Sequence, residues 1–248
     1  MRILRAVADR INGGKLVVAT VGTNHAAEVW RQYQRLFHNI GVRALAHLHV
    51  NVRDDAFSSD KLDVLDNARG VFFTGGDQLQ ITSRVGGAPI CDRIRDLLAR
   101  GGTVAGTSAG ASAMSETMLV GGPSGESHRI DTVQMAPGLG FIAGVIIDQH
   151  FAERGRLGRL VGAVAQNPRL LGIGLDEDTA VIAEGGGFRV LGSGAVYVVD
   201  GVRESYTNVS EQKPDEVMSV FDLKLHILSE GDSYELESRR PVRGRTAS

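Results

Sequence analysis

Short β-branched runs that stop at glycine alternate with segments of helical periodicity across residues 15–105, and no other feature restricts the fold as much. Residues 15–21, Lys-Leu-Val-Val-Ala-Thr-Val, form the first such run and end at Gly22. A short apolar run of this kind fits a parallel strand buried on both faces. Residues 26–40 then place Val29, Trp30, Tyr33, Leu36, Phe37 and Ile40 at helical spacing and close at Gly41. The pattern repeats. It predicts a strand over 42–50, a short helix over 60–68, a strand over Gly70-Val71-Phe72-Phe73-Thr74, a helix over 89–100 that stops at Arg100-Gly101-Gly102, and a strand from Thr103 to Ala105. Strand–helix alternation specifies an α/β fold: a doubly wound, mostly parallel sheet with helices on both faces. Ligands bind beyond the carboxyl ends of such strands. Thr74-Gly75-Gly76-Asp77-Gln78 and Gly106-Thr107-Ser108 both fall at strand ends.

The later part reads differently. Ala180-Val181-Ile182-Ala183, Gly185-Gly186-Gly187 and Phe188-Arg189-Val190-Leu191 spell a C-terminal β-hairpin extension, and residues 194–201 add a strand. Residues 216–228 alternate in the manner of an edge strand, while the arginine-rich stretch from Ser238 to Ser248 is expected to be disordered. Neither an internal repeat nor a dividing linker is visible, so residues 1–241 are expected to form one domain, followed by a disordered tail over 242–248. A chain of 248 residues is long enough for one sizeable core.

A formal net charge of -2 without a basic stripe argues against a nucleic-acid partner. The single cysteine, Cys91, forbids an intrachain disulfide or a cysteine-based zinc site and fits a reducing compartment. Residues 1–14 lack the apolar core of a signal peptide, and no apolar run approaches the roughly 20 residues of a membrane span. The expectation is a soluble, cytoplasmic protein without a membrane partner.

A serine hydroxyl attacks a carbonyl only when a base takes its proton and N–H donors meet the developing oxyanion. Gly106-Thr107-Ser108-Ala109-Gly110 has the G-x-S-x-G spacing of a nucleophile elbow, where backbone crowding demands small neighbours. In a chain with 32 glycines the same spacing also marks an ordinary tight turn. The predicted strand before it and helix after it, Ala109 to Met114, supply the context that favours a nucleophile. The Ala109 amide is the natural first oxyanion donor, and the Gly75-Gly76 turn supplies a second, Gly76. Ser112 and Ser115 fall inside the predicted helix, where hydroxyls bond back to the backbone. Cys91, near a helix start, reads as a packing residue.

Among the seven histidines, His25, His38, His47 and His49 lack motif context, His128 lies in a Gly/Ser-rich loop and His226 in the late alternating segment. His150 emerges from Val145-Ile146-Ile147-Asp148-Gln149 at a strand end and is the candidate base. Asp176, Glu177 and Asp178 follow another strand; Glu177 is the chosen orienting acid, with Asp176 close behind. Arg154, Arg156 and Arg159 follow His150 and form either a solvated basic face or a fork-like clamp for substrate carboxylates.

These segments resemble the serine peptidase family that contains cyanophycinase and the aspartyl dipeptidase peptidase E. The matching residues are Phe73-Thr74-Gly75-Gly76-Asp77-Gln78, Gly106 to Ser112, Asp148-Gln149-His150-Phe151 through Arg154, and Gly172 to Ala180, in the family's order. The resemblance runs from about residue 15 to Pro241. It implies a class I glutamine amidotransferase-like fold and a serine-type exopeptidase with Ser108 as nucleophile, His150 as base and Glu177 as its orienting acid. The implied substrate pocket comprises Gln78, Asp148, Gln149, Arg154, Arg156 and Arg159. No metal or organic cofactor is implied. The implied reaction cuts cyanophycin, a poly-aspartate backbone carrying β-linked arginine, into β-Asp-Arg dipeptides. Hydrolysis of short aspartyl or isoaspartyl peptides is an alternative, as is a non-catalytic binding protein of the same fold. Similar proteins begin with a strand and a Gly-Gly-Ala-Glu-like turn ahead of the helix that starts here near Ile3. Neither precedes that helix in this sequence, so the first strand of the sheet is expected to be missing, with a homodimer favoured by the open edge.

Overall fold

The structure is a computed structural model that describes residues 1–121, 133–210 and 216–244. The chain packs as two compact units, Met1–Met114 with Gly138–Phe141, and Ser115–Pro137 with Ile142–Ser248.

The first unit contains helix α1 (Arg2–Ile11), strand β1 (Lys15–Ala19), α2 (Ala26–Asn39), β2 (Leu45–Leu48), α3 (Ser59–Asp63), β3 (Ala68–Phe73), α4 (Gln78–Val85), α5 (Pro89–Ala99), β4 (Thr103–Gly106) and α6 (Ala109–Ser112). Its sheet runs β2-β1-β3-β4, with all three pairings parallel. Successive strand residues point to opposite faces. Leu16, Val18 and Phe72 therefore meet Val7 and Ile11 of α1 and Phe37 of α2 on one side. Val17, Val71 and Phe73, also buried, point the other way, and α5 packs on β3 and β4 without joining that cluster. Pro89 opens α5 at its first turn, where a missing N–H costs nothing. The expected strand over 42–50 and helix over 60–68 exist but are shorter, and α4 was not expected. Asp77 starts α4, because its carboxylate accepts from the Leu79 and Gln80 amides.

The second unit holds β5 (Ser115–Gly121), β6 (Gln134–Pro137), β7 (Ile142–Gln149), α7 (Leu157–Gln166), β8 (Leu171–Leu175), β9 (Thr179–Glu184), β10 (Gly187–Gly192), β11 (Val196–Asp200), β12 (Tyr206–Thr207), β13 (Val220–Phe221), β14 (Lys224–Leu228), β15 (Ser233–Glu235) and β16 (Arg240–Val242). A mixed sheet runs β14-β11-β8-β7-β5-β6, with β5, β7 and β8 parallel. A smaller antiparallel sheet, β16-β15-β10-β9, contains the expected hairpin. The mixed α/β class with a C-terminal hairpin extension is thus the fold of this chain.

Two expectations need correction here. The alternation over 216–228 forms one edge strand only over β14; Val220 and Phe221 pair with β12 instead. Disorder does not begin at Ser238, nor at Val242, because β16 pairs with β15 and the Gly244 amide donates to Asp232 Oδ1 at 2.9 Å. Residues 245–248 of the expected tail lie outside the described residues, as does His128. Among the described residues no helix is long and apolar enough to cross a membrane.

Candidate active site

In the first unit, β4 delivers the chain into a turn built around Ser108. The Thr107 amide donates to the Phe73 carbonyl at 3.1 Å, which carries the β3–β4 ladder one residue past β4. Ser108 then adopts φ 51° and ψ -120° as the N-cap of α6. The flanking glycines are steric requirements. A Cβ on Gly110 would lie 2.5 Å from the Phe73 carbonyl oxygen, and one on Gly106 would lie 2.4 Å from the Gly110 oxygen. The G-x-S-x-G spacing therefore reflects crowding between this turn and β3. Burial raises the Tyr33 phenol above its usual pKa, while its hydrogen bond to Thr107 works in the opposite sense.

The Gly75-Gly76 turn runs beside the serine: a Cβ on Gly75 would sit 3.3 Å from Ser108 Cβ and 3.8 Å from its Oγ. Gly76 follows at φ 137°. Ala109 is the first residue of α6, so its N–H has no intrahelical acceptor. Gln78 opens α4 directly after this turn. The competing nucleophiles are placed elsewhere. Ser112 is buried in α6, while Ser115, expected inside that helix, begins β5 and donates to the Thr117 carbonyl at 2.7 Å. The short α6 ends at Ser112 rather than Met114. Cys91 is fully buried, and burial raises its thiol pKa.

In the second unit, β7 and β8 run parallel with Gln149 opposite Leu175, so the residues that follow each strand emerge side by side. His150 turns at φ 49°, and its Nδ1 lies 2.9 Å from Glu177 Oε1. That leaves Nε2 as the nitrogen suited to proton transfer. The acidic run divides its work. Asp176 accepts from the Ala152 amide at 2.9 Å and the Ala195 amide at 3.1 Å, which pins two loops. Glu177 faces the histidine, and its own amide donates to Glu153 Oε1 at 3.0 Å. Glu153 was not singled out from the sequence, where one acid among the arginines carries no signal.

Behind the histidine, Phe151 is buried, and its amide donates to the Leu175 carbonyl at 3.1 Å. Its ring occupies the space over Gly174, where a Cβ would lie 2.6 Å from ring atoms. Gly172 and Gly174 sit two residues apart within an apolar strand, the available sequence signal that something large packs against that face.

Asp148 is 1 % exposed and receives two guanidinium groups. Arg159 forks onto it, with Nε donating to Oδ2 at 2.6 Å and Nη2 to Oδ1. Arg156 Nη1 donates to Oδ1 at 3.1 Å and to the Gln149 carbonyl. Burial lowers the Arg156 pKa and Asp148 opposes that shift. The helix that follows His150, α7, starts only at Leu157, and Arg156 and Arg159 turn inward rather than forming a solvated basic face. Arg154 is exposed, and its amide donates to the His150 carbonyl at 3.2 Å. Among the described residues, no group of three or more His, Cys, Asp or Glu side chains is placed to hold a metal ion.

The sequence pattern of Peptidase family S51 matches residues 18–191. This chain belongs to that family. It is a serine-type peptidase, and its relatives point the same way. The S51 peptidase is 40 % identical over 242 residues to a cyanophycinase of Trichormus variabilis, covering 96 % of this chain and 81 % of the relative. It is 37 % identical over 243 residues to a cyanophycinase of Synechococcus elongatus, covering 96 % and 76 %. Among solved structures, a peptidase from an acI-B1 Actinobacterium superposes with a TM-score of 0.68 at 20 % identity, covering 94 % of this chain and 90 % of the other. A putative peptidase E from Listeria monocytogenes gives 0.54 at 10 % identity, covering 77 % and 92 %. These structural likenesses concern the fold, and they agree with the α/β class expected from the sequence.

Proposed function

We propose that this S51 peptidase hydrolyses cyanophycin, releasing β-Asp-Arg dipeptides through a Ser108–His150–Glu177 triad. The observation that carries the chemistry is the left-handed, glycine-flanked turn at Ser108; the substrate is carried by relatives bearing the name cyanophycinase over nearly the whole chain. Ser108 Oγ attacks the aspartyl carbonyl while His150 Nε2 accepts its proton. Glu177 fixes the Nδ1–H tautomer and stabilises the imidazolium. Amides of Ala109 and of Gly76 meet the oxyanion. His150 then protonates the leaving amine, and water activated by the same imidazole releases the acyl group.

Gln78, Gln149 and Arg154 contact the aspartyl-arginine unit in this reading, with Asp148, Arg156 and Arg159 completing the pocket. The buried pairing of Asp148 with both arginines suits them to fixing the strand end that carries Gln149 and His150. Pocket depth in this reading depends on the loops around residues 121–135, which lie largely outside the described residues. A homodimer and a cytoplasmic location belong to the same reading. The former is supported by edge strand β14, which exposes Leu225 and Ile227, and the latter by a lone, buried cysteine. A monomer mass in sedimentation equilibrium would remove the dimer.

The deciding experiment measures release of β-Asp-Arg from purified cyanophycin by the wild type, Ser108→Ala and Glu177→Gln. Loss of about 10⁴-fold or more for Ser108→Ala and about 10²-fold or more for Glu177→Gln is expected. Wild-type activity on short aspartyl or isoaspartyl peptides with none on polymer would replace cyanophycin as the substrate. Inactivity on all of them would sink the reading.

A further inference from the structure

The mixed sheet of the second unit carries a second cluster of charge that the proposed chemistry does not use. His150 and Glu177 follow the paired residues Gln149 and Leu175, and Leu175 lies opposite Val196. Asp200 lies opposite Leu171, at the other end of the same strands. Four strand steps of about 3.3 Å put roughly 13 Å between the two ends. There a cleft of about 270 Å³ is bordered by Asp200, Arg203, Lys224, Glu237, Arg239 and Arg240.

Its floor is rigidly made. Asp200 is 1 % exposed, and its Oδ1 accepts from Arg239 Nη1 and from the Val202 amide. Arg239 also donates through Nη2 to the Arg169 carbonyl. Asp200 Oδ2 is buried without a hydrogen-bond partner, as is the hydroxyl of the neighbouring Tyr234. Such atoms are uncommon in folded proteins and call for an explanation.

The rim is different. Arg203, Lys224, Glu237 and Arg240 are exposed, and no ion pair engages their side chains among the described residues. Because Asp200 and Arg239 neutralise each other, the remaining rim presents three cations to one anion. That set favours a ligand with carboxylates for Arg203, Lys224 and Arg240 and a guanidinium or ammonium for Glu237.

We propose that this cleft is a second binding site, separate from the His150–Glu177 pair, for a β-aspartyl-arginine unit. The identity of the ligand rests on the cyanophycin reading above. The same unit occurs in the released dipeptide and along the polymer. A site at the far end of the strands would hold either the product or a stretch of polymer beyond the bond being cut.

The test uses the full chain carrying Ser108→Ala, titrated calorimetrically with β-aspartyl-arginine and, separately, with soluble cyanophycin. A second protein adds Lys224→Glu and Arg240→Glu, both at exposed positions without ion pairs, and its thermal melt checks that it folds. The reversals are expected to lower affinity at one class of sites by about tenfold or more. Weakening with the dipeptide assigns the cleft to product; weakening with polymer alone assigns it to the chain. Unchanged binding of both overturns the proposal. The two readings are distinguishable: if protein with Ser108 intact cleaves neither polymer nor aspartyl peptide, the proposed activity fails, while reversal-sensitive binding still upholds the site.

Discussion

Ser108 holds φ 51° and ψ -120°, a conformation costly for any residue with a Cβ. The neighbouring contacts of Gly75, Gly106 and Gly110 leave this turn little room to relax. Ser108→Gly should therefore abolish hydrolysis yet raise stability by about 1 kcal/mol relative to Ser108→Ala, as read from urea unfolding. Equal stabilities would show that the turn is not strained. His47 offers a second test. Its ring stacks on Trp30 with centroids 4.9 Å apart, and its Nε2 lies 2.8 Å from Thr20 Oγ1. Burial, then His49 and Lys61, lower its pKa from 6.5 to about 4. The folded state thus favours the neutral ring. The stability this contributes is complete above about pH 6.5 and is lost as the pH falls toward about 4. Burial, then Lys61, lowers the pKa of the neighbouring His49 as well, while a backbone hydrogen bond at Thr20 and the Asp55 charge oppose the shift. The drop in urea midpoint between about pH 7.5 and pH 4.5 should be smaller in His47→Gln than in the wild type; an unchanged drop would assign the acid sensitivity to other groups.

Strand β8 shows how an element positions a side chain it does not contain. Its register with β7 brings the ends of both strands level, and Gly174 receives the ring of Phe151. Phe151 is next to His150 and is tied by its amide to Leu175. Gly174→Ala inserts a methyl group where no space exists, which should cost about 1–3 kcal/mol by overpacking. It should also lower kcat, because the ring must shift and His150 moves with it. Phe151→Leu in the same background should restore part of both, and a failure of rescue would place the damage elsewhere. Asp148 works from the preceding strand. Asp148→Asn would leave two guanidinium groups, each less than a tenth exposed, without their counter-charge. A loss of about 3–5 kcal/mol in chemical denaturation is expected; a loss below about 1 kcal/mol would mean that water reaches these arginines.

At the scale of the whole chain, order in the last residues depends on contacts from far away in sequence. Arg239 bonds both Asp200 and the carbonyl of Arg169, and β16 pairs with β15. Arg239→Ala would leave Asp200 buried and unpaired, at a cost of about 3 kcal/mol or more, with increased hydrogen exchange across residues 233–242; unchanged exchange would refute that role. The local pattern had suggested disorder there, because four arginines and small polar residues cannot reveal a buried acid at position 200. The same limit explains the other differences. The alternation of β-branched runs, helical stripes and glycine stops was enough for the α/β class, because strand and helix periods are local properties of the backbone. G-x-S-x-G between a predicted strand and a predicted helix singled out Ser108 as the candidate, because crowding at a sharp turn selects small residues close in sequence. The sequence preferred Glu177 to Asp176 only narrowly as the partner of His150, since the two differ by one position in a loop and it is the Ala152 and Ala195 amides that draw Asp176 away. The direction of Arg156 and Arg159 was equally hidden. Sequence placed their charges near His150, but the late start of α7 and the burial of Asp148 turned both inward, because a buried carboxylate requires counter-charges that only the folded chain brings to it.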